Sequence, residues 1–266
     1  MARESKRRTS GRRSPWAAAA LIGIGLLITG GVYAGASAAM ASTQESNVAS
    51  ALTVEDGKKL FQANCATCHG LDLQGTEDGP SLYGVGELAV EFQMSTGRMP
   101  LQMQGPQAPQ KPAQFTQDQI EAIASYVQST SPGPSYPSDE TLDGGGDVAN
   151  GAELFRINCA MCHNVAAAGG ALTEGKYAPA LTETSALHMY AAMVTGPQNM
   201  PVFNDMTLTL DDKRDIISAL LYLQENDSPG GFGLGGLGPV SEGLFIWIFG
   251  IGTLIAITVW ITAKSN

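Results

Sequence analysis

Two segments of the sequence carry the residue types that could perform redox chemistry, and both follow one pattern. Gly57–His69 and Gly151–His163 share the form G-x-x-L-F-x-x-N-C-A-x-C-H. The Cys-x-x-Cys-His spacing attaches a haem covalently through two thioether bonds, with the histidine ligating the iron. One helical turn brings both thiols and the imidazole to the same side, where they can face the porphyrin edge and the metal. The candidate residues are Cys65, Cys68, His69, Cys159, Cys162 and His163.

Zinc binding and dithiol redox chemistry are the alternatives for a Cys-x-x-Cys pair. A four-cysteine zinc site usually has its two pairs much closer in sequence than Cys65 and Cys159 are. A thioredoxin-like motif is expected in a βαβ context, which this sequence lacks, and it needs no following histidine. No cysteine lies outside the two motifs, so none is left for a structural disulfide or a free nucleophile. Because haem attachment requires reduced thiols on the outer side of the membrane, we expect export.

The charge of the chain is unevenly distributed. Six of the fifteen basic residues precede residue 14, whereas residues 37–240 contain 8 basic and 23 acidic residues, a net charge of 8 − 23 = −15. A body this acidic is a poor candidate for binding nucleic acid or an anionic membrane surface. We therefore expect no nucleic-acid partner.

Two apolar stretches are long enough to cross a membrane. Trp16–Ala36 follows the basic arm, which predicts a cytoplasmic N-terminus. Small-residue cleavage patterns follow this stretch, so a cleaved signal and a retained anchor are both open. Gly243–Thr262 is free of charge and has Trp247 and Trp260 near its ends. A span there places the C-terminus in the cytoplasm and both cysteine motifs on the outer face.

Composition and periodicity divide the chain into six segments. Residues 1–41 form the basic arm with the membrane segment or signal, 48–131 a first domain, 132–146 a linker, 147–227 a second domain, 228–241 a glycine-rich hinge and 242–263 a transmembrane helix. Helices are predicted at about 87–95, 117–129 and 185–194. Thr116 with Gln119 forms a capping box, and Thr209 can cap the last helix before the hinge.

The two domains repeat the same order of features beyond the cysteine motifs. Met94–Gly97 matches Met193–Gly196, and a Met-Pro pair follows each, at Met99 and at Met200. This order resembles a class I c-type cytochrome domain, here in tandem. The resemblance implies an all-α fold in which each small domain is built around a covalently bound haem.

The same resemblance implies the axial ligands of two irons, His69 with Met99 and His163 with Met200. A methionine sulfur stabilises ferrous iron and raises the potential. It also implies that the carbonyls of Pro80 and Pro179 accept the histidine Nδ1–H and orient each ring.

Several residues compete for these roles or leave a role open. Met103 competes with Met99, and Met206 competes with Met200, while Met94 and Met193 are expected in the core. His188 is an alternative ligand for a bis-histidine second haem. The Pro- and Gln-rich loop at 102–114 is either solvated or a docking element. Arg98 is either a propionate partner or an ordinary surface arginine.

The whole chain resembles the family of di-haem cytochrome c subunits of actinobacterial menaquinol–cytochrome c reductase, the cytochrome bcc complex. The specific parts are TGRMP at 96–100, GPQNMP at 196–201 and the PGG-x-G-L-G-G hinge. The resemblance implies that one haem takes electrons from a Rieske iron–sulfur subunit beside cytochrome b, and the other delivers them to an aa3-type oxidase. The chain would then be the electron-transfer subunit of a proton-translocating reductase, with no catalytic residue of its own.

Two other functions remain open at this stage. The first is a free-standing anchored di-haem carrier. The second is a di-haem enzyme such as a peroxidase, which needs an open or displaceable ligand at one iron.

Overall fold

The computed structural model describes residues 15–47, 52–103, 105–226 and 239–264. The chain divides into two compact units, Met1–Ala51 and Leu52–Asn266. In the described part the structure is mostly helical, which confirms the predicted fold class. The basic arm at 1–14 and most of the glycine-rich hinge lie outside the described residues.

The described part of the first unit is one long helix, α1, at Pro15–Asn47. Its apolar part, Trp16–Ala34, is long enough to span a membrane. The helix continues through residues 36–41, which contain both small-residue cleavage patterns. Cleavage of this segment stays a prediction.

In the second unit the first repeat contains α2 (Val54–Asn64), α3 (Ala66–His69), α4 (Gly86–Ser95) and α5 (Gln117–Thr130). Thr53 and Asp56 form a capping box at the start of α2, and Thr116 with Gln119 caps α5 as predicted. Helices α2 and α5 cross closely because Gly57 has no side chain: a Cβ there would overlap the carbonyl oxygen of Ala122. Around this crossing lies a core of Phe61, Ile120, Ile123, Tyr126 and Val127.

The second repeat has the same arrangement with two additions. Its helices are α6 (Asp139–Leu142), α7 (Val148–Asn158), α8 (Ala160–His163), α9 (Ala186–Thr195) and α10 (Leu210–Glu225). Thr209 caps α10 in a capping box, as predicted. The crossing of α7 and α10 again depends on a glycine, since a Cβ at Gly151 would overlap the carbonyl oxygen of Asp215.

A small antiparallel hairpin is the larger addition in the second repeat. Strand β1 (Gly170–Ala171) pairs with β2 (Tyr177–Ala178), and a short 3₁₀ turn connects them. The hairpin lies between the histidine and the following proline, which are 16 residues apart here and 11 apart in the first repeat. It therefore accounts for the difference in spacing between the two repeats.

The two repeats pack against each other through α4 and α9. Leu88 and Phe92 of α4 form a buried cluster with Ala191 of α9. The segment at 132–146, predicted as a linker, is held against the first repeat, because the Leu88 amide donates to the Pro134 carbonyl at 3.2 Å. Helix α6, at the end of this segment, packs against α10 and α9.

The C-terminal segment of the second unit is a second apolar helix. It comprises α11 (Pro239–Phe245), a π-helical segment (Ile246–Ile251) and α12 (Gly252–Lys264). The stretch Val240–Lys264 is 25 residues long and apolar enough to cross a membrane.

Candidate haem-binding sites

The first cysteine motif lies at a joint between two helices. Helix α2 ends at Asn64, and the Cys65 amide donates to the Phe61 carbonyl at 2.7 Å. The next turn is α3, in which the His69 amide donates to the Cys65 carbonyl at 3.0 Å. The two thiols and the imidazole therefore belong to one helical turn, as attachment to a single haem requires.

The second motif reproduces this geometry. The Cys159 amide donates to the Phe155 carbonyl at 2.9 Å, and the His163 amide donates to the Cys159 carbonyl at 2.9 Å. All four cysteines are free thiols, so neither motif is closed as a disulfide.

Both motif histidines are oriented by a proline carbonyl. The His69 Nδ1–H donates to the Pro80 carbonyl at 2.8 Å, and the His163 Nδ1–H donates to the Pro179 carbonyl at 2.9 Å. With Nδ1 protonated, the Nε2 lone pair of each ring is available to a metal. Pro179 follows its histidine by 16 residues and Pro80 by 11, yet the two hydrogen bonds have nearly the same length.

Burial shifts the pKa of three groups in these motifs, His163, Cys65 and Cys159. It lowers the pKa of His163, although the hydrogen bond to Pro179 partly opposes this, so the neutral ring needed for metal ligation is favoured. Burial, with a smaller contribution from the neighbouring cysteine, raises the pKa of the Cys65 and Cys159 thiols to about 11. A dithiol redox motif has a lowered thiol pKa instead, so this shift argues against that alternative.

A cavity of about 750 Å³ opens beside the second motif. Its size lies within the range of cofactor sites. Cys159, Cys162 and His163 line one part of the wall, and Met200 lines another. Apolar side chains form most of the remaining wall, including Phe155, Met189, Met193, Phe203, Ile216 and Leu220. An imidazole nitrogen, a thioether sulfur and two thiols in an apolar cavity are the donor set that fits a c-type haem.

The competing methionines differ in exposure. Met103 is 78 % exposed and Met206 is 98 % exposed, whereas Met99 and Met200 are half-buried and pack against the cores of their repeats. Met94 and Met193 are buried in those cores, as expected for core residues. Among the methionines whose burial the structure describes, Met99 and Met200 combine partial burial with packing against the core of their repeat.

The two cysteine pairs do not form a shared metal cluster in the described part of the chain. Across residues 15–47, 52–103, 105–226 and 239–264, no three side chains from His, Cys, Asp and Glu come close enough to hold a metal ion together. The two Cys-x-x-Cys pairs lie in separate repeats, as separate haem sites require.

Comparison with known proteins also identifies two cytochrome-type domains in the chain. Residues 54–131 match the family described as Cytochrome c, and residues 146–218 match Cytochrome C oxidase, cbb3-type, subunit III. The Cytochrome bc1 complex cytochrome c subunit of Corynebacterium efficiens is 50 % identical over 80 % of this chain and 77 % of that protein. The chain belongs to the family of cytochrome bc1 complex cytochrome c subunits. The subunit of the same name from Mycobacterium bovis is 44 % identical over 91 % of this chain and 90 % of that protein.

Membership among the cytochrome bc1 complex cytochrome c subunits confirms the resemblance predicted from the tandem motifs. Cytochrome c domains imply covalently bound haem c and electron transfer, in a subunit that works with the other components of its complex. A more distant relative is the Cbb3-type cytochrome c oxidase subunit FixP of Sinorhizobium medicae, 28 % identical over 44 % of this chain and 40 % of that protein.

In this bc1-type cytochrome c subunit His188 belongs to the interface between the repeats. Its Nε2 lies 2.8 Å from the Ser95 hydroxyl and 3.5 Å from Glu91 Oε1, and its ring meets Phe92 edge-on. Glu91 is only 2 % exposed. An axial ligand would use Nε2, and in His188 this nitrogen already contacts Ser95 and Glu91 of the first repeat.

The loop at 102–114 contacts the second repeat, which sequence reasoning did not anticipate. The Gln107 side chain accepts from the Tyr177 amide at 2.9 Å and donates to the Tyr177 carbonyl at 2.9 Å. The Ala108 amide donates to the Gln198 side chain at 3.1 Å. The loop is therefore not simply solvated. Its greater length in the first repeat was the only signal in the sequence that pointed to such a contact.

Proposed function

We propose that this chain holds two c-type haems, one in each repeat, and relays single electrons between its partners. The cysteine pairs attach the haems, and the irons are ligated by His69 with Met99 and by His163 with Met200. The observation that carries the proposal is the pair of hydrogen bonds from the histidine Nδ1 atoms to Pro80 and Pro179. Both rings are thereby held with Nε2 available, in two separate sites.

The methionine assignments rest on exposure and position. An exposed thioether such as Met206 would have to leave solvent to reach the iron, whereas Met200 already lines the cavity that contains His163. Met99 occupies the matching place after the matching turn. Its amide donates to the Gln93 carbonyl at 2.9 Å, whereas the Met200 amide donates to the Pro197 carbonyl at 3.0 Å.

The protein's own contribution is to orient ligands, exclude water and set the local charge. Bound haem supplies reversible one-electron chemistry at iron. The proline carbonyls fix each imidazole, and the mostly apolar wall of the cavity that His163 lines surrounds the haem with non-polar side chains. A methionine sulfur favours the ferrous state, which suits a carrier at the high-potential end of a respiratory chain.

In this proposal the partners are cytochrome b and a Rieske iron–sulfur subunit on the donor side and an aa3-type oxidase on the acceptor side. The chain serves as the electron-transfer subunit of a proton-translocating quinol–cytochrome c reductase, and it performs no substrate chemistry itself. The two apolar helices support membrane anchoring, with both repeats on the outer face and the C-terminus in the cytoplasm. If the N-terminal helix is retained, the N-terminus is cytoplasmic too.

Purification in mild detergent from the native membrane tests this assignment. We expect the chain to co-purify with cytochrome b and a Rieske subunit, together with oxidase subunits and two covalent haems per chain. Isolation without any of these partners would contradict the complex and favour a free-standing carrier. Rapid, tight binding of carbon monoxide to one reduced haem of the native protein would instead favour a di-haem enzyme.

A further inference from the structure

Arg98 follows the turn after α4 in the first repeat, but its side chain lines the cavity of the second repeat. It is 5 % exposed, so the interpretation of an ordinary surface arginine is wrong. Its guanidinium carbon lies 5.0 Å from the centre of the Phe92 ring, which is also part of the cavity wall. The residue next to Met99 therefore faces the site of His163 and Met200.

The charge on Arg98 has no carboxylate partner among the described residues. Neither an ion pair nor a hydrogen bond engages its guanidinium in that part of the chain, where the guanidinium lies over the Phe92 ring. At 5 % exposure the Arg98 side chain is largely withdrawn from water. A buried cation of this kind normally has an anionic partner.

The charged residues that line the cavity indicate which class of anion Arg98 would bind. Arg98 is the one lysine or arginine among the described residues that line it, and Glu183 is the one acidic residue. A haem carries two propionate carboxylates, and an arginine guanidinium matches a carboxylate with two parallel hydrogen bonds.

The loop contacts hold this part of the first repeat over the second. Lys111 donates its amide to the Thr96 carbonyl at 3.2 Å, which ties the returning loop to the turn that carries Arg98. Farther along the loop, Gln107 makes its two hydrogen bonds to Tyr177. The turn that carries Arg98 is thereby connected through the loop to the second repeat.

We propose that Arg98 binds a propionate of the haem attached at Cys159 and Cys162, so that the first repeat completes the second haem site. This inference rests on the proposed function, since it requires a haem in the second repeat. The reduction potential of the second haem then depends on a residue of the first repeat. A positive charge beside the propionate favours the reduced iron, which carries one positive charge fewer.

Potentiometric titration of the full-length, detergent-solubilised protein tests this proposal with Arg98→Gln and Arg98→Lys. Of the two midpoint potentials, the one that Met200→Leu lowers is assigned to the haem of the second repeat. We expect Arg98→Gln to shift the second midpoint to lower potential and leave the first unchanged, and Arg98→Lys to restore most of the shift. Arg156→Gln is the matched control: this exposed arginine precedes the second motif, and its loss should move neither midpoint.

Three results would overturn the proposal. They are an unchanged second midpoint in Arg98→Gln, a shift confined to the first midpoint, and a shift that Arg98→Lys does not reduce. Should Arg98→Gln fail to retain the second haem, retention in Arg98→Lys supports the proposal and loss in both variants contradicts it. Absence of a haem from the second repeat of the unmodified protein would instead contradict the proposed function itself.

Discussion

Gly57 lies directly against the carbonyl oxygen of Ala122, and the space between them cannot hold a methyl group. The matching Gly151 has the same relationship to Asp215. In both repeats the first residue of the shared pattern therefore sets how closely the helix that leads to the cysteines crosses the last helix. The glycine of the pattern is needed for packing, and the cysteines and histidine for chemistry.

Gly57→Ala should destabilise the first repeat. Alanine in place of glycine within a helix normally stabilises it by about 0.5–1 kcal/mol, but here the added methyl group must push two helices apart. We expect a net loss of about 1–3 kcal/mol in the free energy of unfolding, measured by chemical denaturation. Gly105→Ala is the control, because the nearest heavy atom to its new methyl group is 3.9 Å away. Equal or greater stability of Gly57→Ala would show that the helices separate at no cost.

Met200→Leu should keep the haem attached and lower the second midpoint potential. Leucine fills a similar volume but offers no sulfur to the ferrous iron. Met206→Leu serves as the control, since Met206 is exposed and should not matter. Optical redox titration of both variants separates the outcomes. An unchanged second potential in Met200→Leu, or a lowered one in Met206→Leu, would assign the ligand to another residue.

His188→Ala should leave the axial ligation of both haems unchanged while weakening the contact between the repeats. The substitution removes the partner of Ser95 and Glu91, and leaving buried Glu91 without it costs about 1–3 kcal/mol. Absorption and electron paramagnetic resonance spectra report ligation, and denaturation reports stability. Ser95→Ala removes one of the same contacts and should weaken the interface in the same direction. Altered ligation in His188→Ala alone would make the histidine an iron ligand.

Asp56 should contribute to stability in a pH-dependent way. Hydrogen bonds from Thr53, with help from Lys59, hold the pKa of Asp56 at about 2, below the ordinary value of 3.8. Because the folded-state pKa is the lower one, the contribution is complete above about pH 4 and is lost as the pH falls toward 2. Asp56→Asn should therefore be less stable than the unmodified protein near neutral pH, and the difference should shrink between pH 4 and pH 2.

The control for this prediction is Glu55→Gln. Glu55 is exposed and its side chain has no hydrogen-bond partner among the described residues, so its loss should change stability little at any pH. A stability difference for Asp56→Asn that stays constant from neutral pH to pH 2 would exclude the capping interaction as its source.

Local patterns in the sequence predicted most of the fold. Capping boxes such as Thr116 with Gln119 involve residues three apart, and the cysteine motifs fit within one helical turn, so both are visible in a short window. Alignment of the two repeats then identified Met99 and Met200 as counterparts. The spacing of His163 and Pro179 looked irregular only because a hairpin between them cannot be recognised from two-residue strands.

Contacts between the repeats could not be predicted in the same way. Gln107 and Tyr177 are 70 residues apart, and their pairing depends on how α4 packs against α9. The hydrophobic periodicity of a helix does not indicate which helix of the other repeat it packs against. Arg98 is an example: it lies beside Met99 in the sequence, whereas the structure places it in the wall of the cavity beside the second motif.

Intact mass spectrometry of the denatured chain tests the central claim of two covalent haems most directly. The unmodified protein should carry the mass of two haem groups, and replacing both cysteines of either motif should remove one. This result follows from two motifs with equal geometry around Cys65 and Cys159. A chain that carries a single haem, or one whose second haem survives loss of Cys159 and Cys162, would contradict the account.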